Sequence, residues 1–296
     1  MNRRRLRSLP GLALALHRRS RALRNAREDR RLRSRLRADP EAPELLLSPH
    51  WDDAVLGCWS LLAGSRELNV VNLFGGVPTA GRTATMETVT GARSSAERAR
   101  ERIAEDARAL ARAGRKPLNL PLLDAQFRQS GIPLQELDNV LSAEVKSASR
   151  VYVPAAIGSH PDHVLTRRYG RMLFKAGIPV VLYAELPYCI FHGWPSWVDG
   201  REPEPKRNVD AYWRSFLAGV PEMPALRDAE VERLDGPTAS ARLEAIRSYE
   251  SSLNYAVRNL LANPAFHGFE VRWALVGHGA QTPASQPGVA RPGRDG

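Results

Sequence analysis

Glu44-Leu45-Leu46-Leu47-Ser48-Pro49-His50-Trp51-Asp52-Asp53 is the stretch that decides the fold. A short unbroken apolar run, Leu45–Leu47, closed by a proline reads as a buried strand. The turn after it carries His50, Asp52 and Asp53 where a dinucleotide-binding sheet would carry GxGxxG, so this is not a nucleotide loop. Ala54–Ala63 (AVLGCWSLLA) then reads as a helix starting at the Asp-rich turn.

Outward from there, strand-like and helix-like segments alternate. Leu68–Phe74 is a second strand, closed by Gly75-Gly76, and Val77–Ser95 has neither period and reads as a loop. Ala96–Ala113 is a charged helix with Ile103, Ala107, Leu110 and Ala111 on one face, ended by Gly114. Pro117–Leu122, a helix over Leu134–Ser147, a strand at Val151–Val153, a helix from Asp162 or His163 to Ala176 and a strand at Val180–Tyr183 follow. Residues 186–224, with six prolines and three tryptophans, read as an irregular lid or wall. Helices are expected at about 225–234 and 238–262, and a last strand at Glu270–Val276. Such alternation predicts an α/β fold: one Rossmann-like domain, a mostly parallel sheet with helices on both faces, and a site at the C-terminal ends of the strands.

The formal charge of +11 is local. Residues 1–40 hold 14 arginines against Glu28, Asp29 and Asp39, and residues 41–296 carry equal numbers of basic and acidic groups. The boundaries expected are an Arg-rich arm at 1–40, helical or disordered, a catalytic domain at 41–280 and a disordered Pro-, Gly- and Ser-rich tail at 281–296. Three readings of the arm stand side by side: a solvated extension, a surface helix touching anionic lipid or a polyanion through a Leu12, Leu16 and Leu23 stripe, or an export signal, for which the pattern is poor. The neutral body is not expected to bind nucleic acid. Cys58 and Cys189 form no paired motif, and no run approaches the ~20 apolar residues of a membrane span. The expectation is a cytoplasmic protein.

A second cluster, Gly158-Ser159-His160-Pro161-Asp162-His163, also follows a strand. In an α/β sheet two such strand ends meet at one crevice. Zinc in a catalytic site takes three protein ligands and keeps one position open. The economical ligand set is His50, Asp53 and His163, for one Zn2+ per chain, with Fe(II) or Co(II) also accommodated. Asp52 and His160 are then free for acid/base work beside a metal-bound water, the expected nucleophile. Asp162 is expected to orient His160 or to cap the helix beginning there. Arg102, paired with Glu105 or reaching substrate, and Asp124, capping a turn or binding a hydroxyl, are weaker candidates. His267 and His278 are expected to be unrelated to the metal. The tryptophans 194, 197 and 213 read as packing or as an aromatic lid.

These motifs resemble the PIG-L/LmbE-like zinc-dependent N-deacetylases, whose signature is a strand, H-x-D-D, then a distant H-x-D-H. Arg102-Ile103-Ala104-Glu105-Asp106 resembles the family's R-x-x-E-D helix, and Asp124 an aspartate that meets sugar hydroxyls. Tyr183-Ala184-Glu185-Leu186-Pro187-Tyr188 and Ala245-Ile246-Arg247-Ser248-Tyr249 extend the likeness, which runs over about residues 43–276. The resemblance implies zinc on His50, Asp53 and His163, Asp52 as base, His160 as oxyanion or acid partner, and a small amino-sugar conjugate as substrate. Trp51 and Ala54 depart from the Pro and Glu many members have there, which bears on the rim of the site and not on its chemistry. The expected activity is hydrolysis of an N-acyl, in the first instance N-acetyl, group on an amino-sugar conjugate. A thiol-sugar conjugate amidase, a non-catalytic protein holding a polyanion through the arm, and a phosphate-ester hydrolase are the rivals. A single zinc-type set speaks against the last.

Overall fold

The computed structural model describes residues 41–79, 81, 84, 92–191, 193–201, 208–251, 253 and 255–277. The Arg-rich arm, the tail from 281, His278 and much of the Val77–Ser95 loop lie outside the described residues.

Five strands run parallel: β1 (Glu44–Ser48), β2 (Leu68–Asn72), β3 (Pro117–Asn119), β4 (Val151–Pro154) and β5 (Val180–Tyr183). β6 (Glu230–Arg233) and β7 (Phe269–Ala274) add an antiparallel edge, and the seven-stranded order is β3-β2-β1-β4-β5-β7-β6. The chain moves outward in one direction through β2 and β3, then returns to β4 on the other side of β1. The order therefore reverses between β1 and β4, and their carboxyl ends open the crevice in which α/β sheets bind ligands. All five residues of β1 are buried, as befits a central strand covered on both faces.

In chain order the helices are α1 (Asp53–Gly57), α2 (Trp59–Ala63), α3 (Ser95–Ala111), α4 (Leu134–Lys146), α5 (Pro161–Lys175), α6 (Ser196–Asp199), α7 (Val209–Leu217), α8 (Gly236–Ile246), α9 (Tyr255–Ala262) and α10 (Pro264–His267). α8 packs on α1 and α3, and α4 packs on α5. These are the two helical layers that right-handed crossovers place on opposite faces of such a sheet. α5 lies directly on β4: a Cβ at Gly170 would stand 2.7 Å from Val153 Cγ2, so only glycine allows that approach.

Several expected segments differ. The helix expected over Ala54–Ala63 is broken at Cys58, whose φ of −141° and ψ of 33° end α1 and start α2. Residues 225–234 are not a helix but a 3-10 turn, Leu226–Asp228, followed by β6. The helix expected over 238–262 is two, α8 and α9. Residues 186–224 contain two short helices, α6 and α7, and Trp194, Trp197 and Trp213 form an aromatic cluster with Trp273. Cys58 and Cys189 are both buried free thiols.

Candidate metal centre

His50 and Asp53 lie on the turn leaving β1, and His163 lies in the first turn of α5. Ser48 builds the first turn, donating through Oγ to the His50 carbonyl at 2.6 Å and accepting from Ala54 N–H at 3.1 Å. Asp53 Oδ2 accepts from the His50 backbone N–H at 2.9 Å, folding the two side chains towards each other. The second turn carries unusual backbone: Ala156 (φ 59°) and Ser159 (φ 61°) are left-handed without being glycine. Each such residue costs on the order of 1 kcal/mol or more, and this strain is spent at the loop that presents His160 and His163.

Three donor atoms converge. His50 Nδ1, Asp53 Oδ2 and His163 Nε2 form a triangle with all three sides at 3.3 Å. Ligands about 2.0–2.1 Å from a tetrahedral ion stand ~3.3–3.4 Å apart, so this triangle has the dimensions of one face of such a coordination shell. Two further groupings, His160 with His50 and His163, and Asp124 with Asp162 and His50, also bring potential donor atoms together around His50.

Each imidazole is also held from behind. Glu185, fully buried just beyond β5, lies with Oε1 3.2 Å from His163 Nδ1. Asp162, also fully buried, lies with Oδ2 3.1 Å from His50 Nε2. A carboxylate accepts only, so each rear nitrogen carries the proton and each front lone pair faces the triangle, the usual arrangement behind metal-bound histidines. The chemistry of the donor set fits a divalent cation. Without one, the same groups draw protons. Burial alone would lower His163, but the Asp53 carboxylate and Glu185 raise it to about 9. Burial works the same way at His50, where Asp162 and Asp53 outweigh it and raise it well above its ordinary value.

Asp162 therefore backs His50, not His160 as expected from sequence. Its Oδ1 also accepts from Arg128 Nη2 at 2.5 Å, and its Oδ2 from Ala125 N–H at 2.9 Å, tying the 123–128 loop to the site. The cap of α5 is His160 itself, whose Nδ1 accepts from Asp162 N–H at 3.3 Å. That bond leaves the neutral His160 ring with its proton on Nε2, a donor. Burial and the neighbouring His50 and His163 charges push its pKa down to about 4, which keeps the ring neutral.

His50, Trp51, Asp52, Arg102, Asp124, His160 and Tyr188 line a cleft of about 150 Å³. Burial first, and the Asp53 charge second, raise Asp52 to about 6. Arg102 shares the cleft, with a buried Nε that meets no hydrogen-bond acceptor among the described residues. It is not held by Glu105, whose Oε1 accepts from Ser251 N–H at 2.6 Å. Asp124 caps the 3-10 turn Ala125–Phe127 and stands 3.6 Å from His50 Nε2. His267 is bonded to the Asn263 carbonyl, in a separate cleft with Asp199 and Phe269. Sequence reading missed the place of Glu185 and Arg128. The first had a signal, a carboxylate just past a strand end. The second had none, because nothing local marks a loop arginine as facing a distant aspartate.

Residues 45–174 match the family model described as PIG-L: GlcNAc-PI de-N-acetylase. This segment belongs to the PIG-L family. The match takes in both histidine clusters and the sheet from β1 to β4. The chain is also similar to 2'-N-acetylparomamine deacetylase from Streptomyces fradiae, 32% identical over 177 residues, with 54% of this chain and 62% of the relative covered. The chain thus spans under two thirds of that relative's length. Among solved structures, a deacetylase triple mutant of the teicoplanin biosynthetic pathway superposes with a TM-score of 0.58 at 24% identity. An A40926 pseudoaglycone deacetylase does so at 0.55 and 22%. Each comparison covers 81% of this chain and 100% of the other, and likeness at such identities shows the shared fold.

Proposed function

We propose that the protein is a metal-dependent N-deacetylase acting on an amino-sugar conjugate, with His50, Asp53 and His163 holding one divalent cation, zinc by preference. The observation that carries this reading is the 3.3 Å triangle of two imidazole nitrogens and one carboxylate oxygen beside a cleft lined by Asp52 and His160. The PIG-L match and the deacetylase relative support the acyl-amide substrate class.

A bound cation supplies Lewis acidity, lowering the pKa of a water and polarising the amide carbonyl. The remaining steps belong to the chain. Asp52 takes a proton from the attacking water as the water oxygen bonds to the carbonyl carbon. His160, with its proton on Nε2, donates to the oxygen that becomes an oxyanion. The C–N bond then breaks, the proton held on Asp52 passes to the leaving amine, and acetate and the free amino sugar result. Arg102 and Asp124 line the same cleft and serve the sugar hydroxyls. Among the described residues no helix is long and apolar enough to cross a membrane, and a cytoplasmic enzyme meeting a small soluble conjugate suits this chemistry. Residues 41–280 are the catalytic domain in this reading, with 1–40 as an appended basic arm.

Acetate release from a panel of N-acetylglucosaminyl conjugates, with and without a chelator, tests the proposal. Release that the chelator abolishes and added Zn2+ restores is the expected result. A protein that loads one equivalent of metal and releases no acetate from any member would overturn it.

A further inference from the structure

A cleft of about 150 Å³ is small for a conjugate, since pockets enclosing a whole small-molecule ligand run to about 300–1,000 Å³. It accommodates the acylamino end and part of the sugar, so the rest of a substrate must leave across the rim. Next to the cleft-lining Tyr188 stands Phe191, 54% exposed, the most exposed large apolar side chain among the described residues. It is contiguous with the cleft: its ring meets the Tyr188 ring edge-on at 6.2 Å, and Tyr188 lines the cleft wall. Tyr188 in turn is fixed. Its ring lies 5.2 Å from His163 and 6.2 Å from His160, and its Cβ would be 3.0 Å from a Cβ on Gly158, a left-handed glycine (φ 94°). A side chain at 158 would crowd Tyr188 and strain the left-handed backbone there. Core packing does not account for Phe191, which leaves over half its surface in water; a rigid aromatic step leading out of the cleft does.

We propose that Phe191, mounted on Tyr188, is a specificity-determining residue: an aromatic platform that receives the apolar face of a ring attached to the reacting amino sugar. The inference rests on the deacetylase reading of the site and adds the side of the substrate on which selection occurs. A ring lying on Phe191 gains an aromatic contact that a free monosaccharide, which carries no second ring, does not make. Such contacts change affinity about three- to tenfold.

Steady-state deacetylation by the full chain loaded with Zn2+ tests this, comparing free N-acetylglucosamine with phenyl and cyclohexyl N-acetylglucosaminides. Phe191→Ala is expected to raise KM for the two ring-bearing glucosaminides by about three- to tenfold, with kcat unchanged and both constants unchanged for the free sugar. Phe191→Trp is expected to keep the wild-type preference. Equal KM changes on all three substrates, or none on any, would overturn the platform. Calorimetric binding of the same sugars to wild type and Phe191→Ala reads the platform without turnover. Selective loss of ring-glucosaminide binding in a protein that releases no acetate would sustain the platform and overturn the deacetylase reading instead.

Discussion

Replacing Asp52 with asparagine keeps the shape of the side chain and removes its ability to take up a proton. Turnover should fall by about two to four decades while the metal stays bound. Wild-type turnover in Asp52→Asn would rule this residue out as the base. The two histidines of the second cluster should separate cleanly. His163 points Nε2 into the 3.3 Å triangle, whereas His160 spends Nδ1 on the α5 cap. His163→Ala should lose the ion, while His160→Ala should retain it and lose about two to three decades of turnover, as for an oxyanion donor. Metal analysis of both variants decides the assignment, and a His160→Ala protein that loses its metal would exchange their roles. Glu185 acts one step further back. Glu185→Gln keeps the volume but no longer offers His163 Nδ1 a charged acceptor, so zinc affinity measured against a chromophoric chelator should drop about ten- to a hundredfold. Unchanged affinity would make Glu185 a bystander.

At the scale of elements, α3 is anchored to the sheet through one buried carboxyl. Asp106 accepts from Asn72 Nδ2 at the end of β2 at 2.7 Å, and from Tyr249 Oη beyond α8 at 2.8 Å. Burial raises its pKa from the ordinary 3.8 to about 8; the two hydrogen bonds pull the other way, and the Asp52 and Asp53 charges add to the rise. A group whose folded pKa lies above its unfolded value contributes stability below the unfolded pKa and loses it as pH rises through the folded one. Asp106 should therefore cost stability progressively from about pH 4 to pH 8, by up to about 1.4 kcal/mol per pH unit. Asp106→Asn reproduces the protonated acid and should remove this slope. Urea unfolding between pH 5 and 8.5 checks it, and parallel stability curves for the two proteins would refute it. The elements most legible from sequence were those with unbroken apolar runs next to punctuation, such as β1 before Pro49 and β5 after Gly177. β6 was read as helix because Glu230–Arg233 is an exposed, charged edge strand, where neither period shows. The break at Cys58 is hidden because the sequence is apolar on both sides of it: α1 is buried throughout and α2 buries Trp59 and Leu62. Within the site, His50, Asp52, Asp53, His160 and His163 are legible because their spacing is local. The pairing of Asp162 with His50 across 112 residues is set by the meeting of β1 and β4, which no local pattern records.

For the whole molecule, charge and chemistry are carried by different parts of the chain. The +11 excess lies within residues 1–40, and the proposed machinery lies between His50 and Glu185 in a body of balanced charge. The sheet has its own starting point: Glu44 opens β1 by donating its backbone N–H to the Glu67 carbonyl, and the Pro43 carbonyl accepts from Ser149 N–H at 3.0 Å. The Glu44 carboxylate is also engaged, by Tyr152 Oη at 2.9 Å and by Arg66 and Arg150 at 3.2 Å. A cut much beyond Pro40, past Pro43, would remove these first contacts, whereas a cut before Pro40 leaves them whole. Deleting residues 1–38 should therefore leave the cooperative thermal unfolding transition and the hydrolysis of a small soluble glucosaminide almost unchanged. A block of 14 arginines near an anionic surface binds by screened electrostatics that weaken as salt rises. The full chain should accordingly co-sediment with phosphatidylserine-containing vesicles at low salt and release them as salt increases, and the truncated chain should not bind at all. An insoluble or inactive truncation would make the arm part of the fold or of the substrate cleft, and equal vesicle binding by both proteins would move the anionic contact onto the neutral body.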